Sequence, residues 1–331
     1  MHGLNTYLYA VIGGFICSFV VNMLLSSRWL RHIGNDMPGE RSLHQHPTPR
    51  LGGLGILAGA LLSQIFGAAW PWEWNLAVIL LAAVSLTDDI LSLSPLLRLL
   101  IQAAGAGLVV SQLQHPVPQI LAAALFLATL WSVNLFNFMD GANGLAGGMG
   151  LIGFGFLASL AHPASPQLAV AGLAIAAACA GFLCFNFGRA KIFMGDAGST
   201  FLGLMLAVIG IGGYQQQAWP LWLPAMVFSP FIIDASVTLL VRIGRKQRFW
   251  LPHREHFYQK LVRMGWSHTR LAMTSYGLML ACGLLASNIR NKEYYIVIYC
   301  WLALTAIYAI IAVTIQRRWN SFVAQHQIQV Q

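Results

Sequence analysis

Two adjacent carboxylates, Asp88 and Asp89, close the apolar run that ends in VSLTDDI. A charge near the bilayer interior costs about 2.5–3.5 kcal/mol on insertion scales, so a like-charged pair there requires a compensating partner or a chemical task. Adjacent carboxylates suit divalent-metal binding or proton abstraction, because one can hold Mg²⁺ while the other accepts a proton. Arg98 opens the next apolar run, with Gln102 one helical turn further along the same face.

Three more polar stretches carry residues of the same kind. In VNLFNFMDGANGLAGG, Asn134, Asn137 and Asp140 recur every three residues and share one side of a helix end. Gly141, Gly144, Gly147 and Gly148 follow, and let backbone N–H groups approach an anion at the start of the next helix; Gly144 and Gly148 also fit a helix-contact spacing. Gly148, Gly150 and Gly153 match G-x-G-x-x-G, but inside an apolar span with no strand before it, which excludes a dinucleotide fold. In FNFGRAKIFMGDAGS, Asp196 lies between glycines and Ser199 is expected to cap the next helix, whose N-terminus favours phosphate oxygens; Arg189 and Lys191 add positive charge. In WLPHREHFYQKLVRMGWSHTR, His253, Arg254 and His256 form a compact donor cluster able to bind phosphate, and the His pair could equally ligate a metal.

The elements that must position these residues are membrane spans. Of 331 residues, 57% are hydrophobic and 9% charged, against about 25% charged in soluble domains. Eleven apolar runs approach the length needed to cross a bilayer, centred near residues 15, 60, 82, 106, 128, 153, 177, 206, 231, 279 and 305. The first lacks a basic n-region and a small-residue cleavage site, and is expected to be retained. An all-α integral membrane protein follows, a polytopic bundle of about eleven transmembrane helices in one domain over 1–331. Placing the loops after odd-numbered spans and the C-terminal tail in the cytoplasm puts 17 of the 19 Lys and Arg there, leaving Arg290 and Lys292 outside. The N-terminus is therefore expected outside and the C-terminus inside.

The net charge of +9 is then mostly topological, and gives no reason to invoke nucleic acid. Cys17, Cys179, Cys184, Cys282 and Cys300 lie in or near apolar runs without metal-ligand spacing. Seven of the ten acidic residues fall on the basic, inward face. Acidic residues contribute little to topology, so their crowding marks a site. Its segments are 41–55, 86–102, 134–148, 186–199 and 242–270, and their carboxylates, amides and fixed cations suit two anionic substrates, one of them lipid-borne.

In order, the stretches HQHPTPRLGG, DDILSLSPLLRLLIQ, NLFNFMDGANGLAGG, NFGRAKIFMGDAGS and HREHFYQKL resemble the motifs of the polyprenyl-phosphate N-acetylhexosamine-1-phosphate transferases, the family that includes the phospho-MurNAc-pentapeptide translocase. The resemblance runs from about residue 41 to 270. It implies transfer of a sugar 1-phosphate, that of an N-acetylhexosamine or a 6-deoxy N-acetylhexosamine, from a UDP-sugar to a polyprenyl phosphate such as undecaprenyl phosphate, with release of UMP and use of Mg²⁺, or Mn²⁺ in its place. It implies a multi-pass protein of the bacterial inner membrane working on the cytoplasmic face, with a homodimer compatible. The family's aspartate pair falls on Asp88 and Asp89, its metal-binding aspartate on Asp196, and its His-rich motif on His253, Arg254 and His256. Asn186, Phe193 and the Asp140 loop match positions that help hold the nucleotide. Where the family commonly has a second Asp in that loop, this chain has Asn143, an amide that can hydrogen-bond a base or sugar but cannot act as a carboxylate. HREHFYQKL and the compact loops are closer to the branch that primes O-antigen or other surface polysaccharides.

The expected mechanism has Asp196, helped by Asp89, holding the metal on the pyrophosphate, while Asp88 deprotonates the lipid phosphate for direct attack on the β-phosphorus; a covalent two-step route through Asp88 or Asp89 is the alternative. Arg98 and the 253–256 cluster would hold phosphates. A secondary transporter would also use many spans and membrane carboxylates, but its site usually lies at the midplane between repeats, and neither feature is found here. A CDP-alcohol phosphotransferase would need a differently spaced run of Asp and Gly.

Overall fold

With no water in a hydrocarbon core, a spanning segment must satisfy its own backbone N–H and C=O groups, and a helix does so within one segment. A computed structural model describes residues 4–27, 35–36, 47–91, 93–113, 117–248, 251 and 253–326, with the side chains of 35, 36, 89 and 90 outside that description. Residues 41–46 of the first site segment, 249, 250 and 252 of the last, and the Asp89 carboxylate therefore lie outside it.

The order is α1 (Leu4–Leu25), β1 (Asn35–Asp36), β2 (Thr48–Pro49), α2 (Gly52–Leu61, continued by a 3-10 turn over Leu62–Gln64), α3 (Trp72–Leu91), α4 (Pro95–Val110), α5 (Gln119–Met139), α6 (Leu145–Ala161), α7 (Pro166–Asn186), α8 (Gly195–Gln215), α9 (Trp222–Val227), α10 (Ser229–Gly244), α11 (Phe257–Arg263), α12 (His268–Ile289) and α13 (Tyr294–His326). The chain is an all-α membrane protein but for one minimal antiparallel pair, with Asn35 opposite Pro49 and Asp36 opposite Thr48. A helix lies over each of the eleven expected span centres. Six of them, α1, α5, α7, α8, α12 and α13, are long and apolar enough to cross a membrane by themselves, while α2, α4 and α6 are shorter. The run centred at 231 is divided. Pro230 sits in the first turn of α10, where its missing N–H costs nothing, so α9 and α10 meet at Phe228 instead of continuing as one helix.

The centre of the bundle is α8. In its most apolar 18-residue window 89% of residues are buried, against 22% for α1 and 17% for α13, whose outer faces are left to lipid. Polar ties pin α8 to its neighbours: Ser132 of α5 donates to the Gly203 carbonyl at 2.8 Å, and the Ser85 and Thr200 hydroxyls of α3 and α8 lie 3.0 Å apart. In an apolar surrounding such bonds, with small residues at the contacts, substitute for hydrophobic drive. The start of α2 packs on the start of α8 so closely that a Cβ on Gly53 would collide with the backbone of Gly198.

Candidate active site

The α2–α8 junction builds the first half of the site. Gly52 and Gly53 donate to the carbonyls of Phe193 and Met194, both at 2.8 Å, and Phe193 N–H donates to the Pro49 carbonyl at 2.7 Å. This zipper carries Arg50 to the end of α8. There Gly195 has φ +73°, a left-handed conformation glycine takes without strain, with the Arg50 carbonyl packed against its α-carbon. The helix starts at Gly195, so Ser199 is not its cap. The Ser199 hydroxyl donates inside the first turns instead, to the Asp196 carbonyl (3.3 Å) and to Asn137 Oδ1 (3.5 Å). Asp196 stands in the first turn, where the helix dipole favours its charge.

Asp88 has the opposite setting, the last turns of α3, where the dipole disfavours an anion. Its carboxylate is held by the Leu93 N–H on Oδ1 and by Arg98 Nη1 on Oδ2, both at 2.7 Å. Ser94 accepts from Leu97 N–H and Pro95 starts α4, which fixes the turn that brings Arg98 back over α3. The same Arg98 Nη1 lies 3.7 Å from Asp196 Oδ2, and Arg50 Nη2 lies 3.3 Å from Asp196 Oδ1. Two carboxylates from helices far apart in sequence thus share one guanidinium nitrogen. Both are largely buried, at 11% and 14% side-chain exposure.

The other half is built on the end of α5. Asn137 faces Ser199, whereas the adjacent Phe138 faces the last motif: its ring lies 5.8 Å from that of His256, and its carbonyl accepts from the Tyr258 hydroxyl at 2.9 Å. Asp234 of α10 organises that motif. Its carboxylate accepts the N–H groups of Phe257 (3.0 Å) and Tyr258 (2.9 Å), and lies 3.2 Å from His256 Nδ1. His253 stacks on His256 at 4.9 Å between ring centroids. Burial, reinforced by the neighbouring His256 and Arg242, pushes the His253 imidazole down to about 4, so it is neutral at pH 7. Burial, followed by the nearby Asp234 and Asp140 charges, raises Tyr258, which stays a neutral donor. Arg242 pairs with Glu255, and Arg254 lines a separate groove toward α13.

The loop after α5 is tied down by side-chain amides. Asn186 is buried; its Oδ1 accepts from Gly144 N–H at 2.7 Å and its Nδ2 donates to the Ile192 carbonyl at 2.9 Å, joining the 140s loop to the segment before α8. Asn143 donates through Nδ2 to the Gly188 carbonyl at 2.8 Å, and its N–H donates to His268 Nδ1 at 2.9 Å. Asp140 ends α5, and Phe193 is half-buried beside the Pro49 strand.

The fold therefore brings Asp88, Arg98, Asn137 and Asp196 together, with His253 and His256 on the other side of the α5 terminus. The sequence had not pointed to Arg50 or Tyr258 as site residues; Arg50 stood in the PTPR stretch just before two glycines, the one local signal available. Among the described residues no three His, Cys, Asp or Glu side chains gather around one point. The donors at the junction are carboxylate and amide oxygens, which suit a hard cation such as Mg²⁺ that takes one or two carboxylates and fills its remaining positions with water and substrate phosphates.

The chain matches the family model described as glycosyl transferase family 4 over residues 72–214. It is 32% identical to the decaprenyl-phosphate N-acetylglucosaminephosphotransferase of Mycobacterium tuberculosis (strain H37Rv), across 72% of this chain and 71% of that protein. It is 28% identical to the probable undecaprenyl-phosphate N-acetylglucosaminyl 1-phosphate transferase of Bacillus subtilis (strain 168), across 93% and 91%. With the phospho-N-acetylmuramoyl-pentapeptide-transferase of a Synechococcus strain it shares 32% identity across 72% and 78%.

Proposed function

The chain belongs to glycosyl transferase family 4 and transfers a sugar 1-phosphate to a polyprenyl phosphate, and on that premise we propose that its donor is a UDP-N-acetylhexosamine, its acceptor undecaprenyl phosphate and its by-product UMP. On this proposal the reaction occurs on the cytoplasmic face of the inner membrane of a bacterium, in a bundle of eleven spans with the N-terminus outside, as the priming step of O-antigen or another surface polysaccharide.

The observation that carries the reading is the sharing of Arg98 by Asp88 and Asp196. An arginine between two carboxylates is balanced in the resting protein and becomes a phosphate ligand once anionic substrates compete for it. Its transfer to a phosphate releases Asp88 Oδ2, which takes the proton of the lipid phosphate. The lipid oxygen then forms a bond to the β-phosphorus, the bond between the β-phosphorus and the bridging oxygen breaks, and UMP leaves with that oxygen. Asp196, with Asp89, would hold Mg²⁺ or Mn²⁺, which when bound screens the repulsion between the two phosphorylated reactants. Arg50, Arg98, His253 and His256 orient phosphates, and Asn137, Asp140, Asn143, Asn186 and Phe193 shape the nucleotide side.

Purified protein supplied with UDP-N-acetylglucosamine, undecaprenyl phosphate and Mg²⁺ should release UMP, and a panel of UDP-N-acetylhexosamines then identifies the sugar. Asp88→Asn should lower turnover by about 100-fold or more. Near wild-type turnover in that variant removes Asp88 as the base, and liposome uptake without UMP release would point to a carrier instead.

A further inference from the structure

Helix α13 is longer than a bilayer requires. Residues 294–315 carry no charged side chain, and at 1.5 Å per residue they span about 33 Å, close to the thickness of a hydrocarbon core. The helix nevertheless continues to His326, so Gln316, Trp319 and Asn320 lie in its first turns beyond the hydrocarbon, at headgroup depth.

There α13 meets α11. Lys260 donates to Gln316 Oε1 at 2.9 Å, and the Arg263 guanidinium lies over the Trp319 ring, 4.5 Å from its centre. Between the helices opens a groove of about 340 Å³ lined by Arg245, Arg254, Lys260 and Arg263, with Glu255 the one acidic side chain on its described walls. Glu255 is already engaged by Arg242 and lies 3.7 Å from Arg245. The groove thus holds positive charge that its own walls do not balance. Burial lowers the pKa of both Lys260 and Arg263; Arg254 lowers Arg263 further, while Glu255 and Asp234 partly offset the fall at Lys260. Topology accounts for basic residues in this loop; it does not require them to gather in one cleft, where they repel one another unless an anion sits among them.

We infer that this groove binds the phosphate of an anionic membrane-lipid headgroup, at a place apart from the Asp88–Arg98–Asp196 centre. Depth selects the lipid: a phosphate at the bilayer surface is level with Gln316 and Trp319, where an amphipathic indole and basic side chains are favoured. The inference requires α13 to cross the bilayer and does not depend on the reaction proposed above.

The test uses the full chain in a neutral detergent, with native mass spectrometry and thermal unfolding read against dioleoyl phosphatidylglycerol, dioleoyl phosphatidylcholine and inorganic phosphate. Phosphatidylglycerol should stay bound and raise the unfolding temperature, with little effect of the other two. Lys260→Gln combined with Arg263→Gln should weaken that retention about tenfold or more. Because Lys260 and Arg263 also fasten α11 to α13, Arg245→Gln, at 55% side-chain exposure, provides a second variant that should weaken retention without lowering the unfolding temperature of the lipid-free protein. Equal retention of both lipids, or full phosphatidylglycerol retention in both variants, overturns the inference. An equal response to inorganic phosphate overturns the lipid assignment and leaves a site for soluble phosphate.

Discussion

Asn143 shows how much one side-chain atom can decide. Its Nδ2 donates to the Gly188 carbonyl, a bond that an aspartate cannot make because both of its oxygens are acceptors. Asn143→Asp, although it restores the residue common in the family, should therefore destabilise this protein by about 1–3 kcal/mol by facing a carboxylate against a carbonyl. Thermal unfolding reads this directly, and an unchanged midpoint would show that the loop relaxes freely. His253 gives a second prediction at this scale. Its folded-state pKa, about 4, lies below the ordinary value of 6.5, so between those values the unfolded chain binds more protons than the folded one. Stability should accordingly fall as pH is lowered from about 6.5 to 4. His253→Gln should flatten that part of the stability profile, and an identical slope in the variant would assign the acid sensitivity to another group.

At the scale of elements, the close approach of α2 to α8 positions Asp196. Gly53→Ala places a methyl group against the Gly198 backbone, which cannot give way as a flexible side chain would. A cost at the upper end of about 1–3 kcal/mol is expected, and displacement of Asp196 from Arg98 by even an ångström should lower UMP release about 100-fold. Gly107→Ala, with no atom within 4 Å of the added carbon, is the matched control on α4 and should be neutral in both measurements. Helix α5 has a different part. Its final turn sends Asn137 to one half of the site and Phe138 to the other, so the three-residue polar period visible in the sequence explains Asn137 but not the junction it makes with His256 and Tyr258.

For the whole molecule, the proposed orientation follows from 17 of 19 basic residues falling on one side. A C-terminal green fluorescent protein fusion should fluoresce, and a cysteine placed at Asn5 in a cysteine-free background should react with an impermeant maleimide added from outside. Protection of that cysteine, with reaction at the C-terminus, would invert the topology. The buried α8 and the lipid-facing α1 and α13 also predict where substitutions are tolerated: apolar exchanges on the outer face of α13 should leave thermal stability nearly unchanged.

The sequence determined the class of the protein, its helices and the residue types of its site, because apolar run length, basic-residue bias and ordered motifs are local properties that need no partner to be read. Asp88, Arg98 and Asp196 could be chosen from it for that reason. Tertiary structure decided which of these residues meet. The pairing of Arg50 and Arg98 with Asp196 and the triple hold of Asp234 on the His256 turn both depend on elements separated by many residues in sequence. Their contacts are set by small-residue packing and by the need to satisfy buried polar groups, and neither constraint is written in the spacing of any one segment.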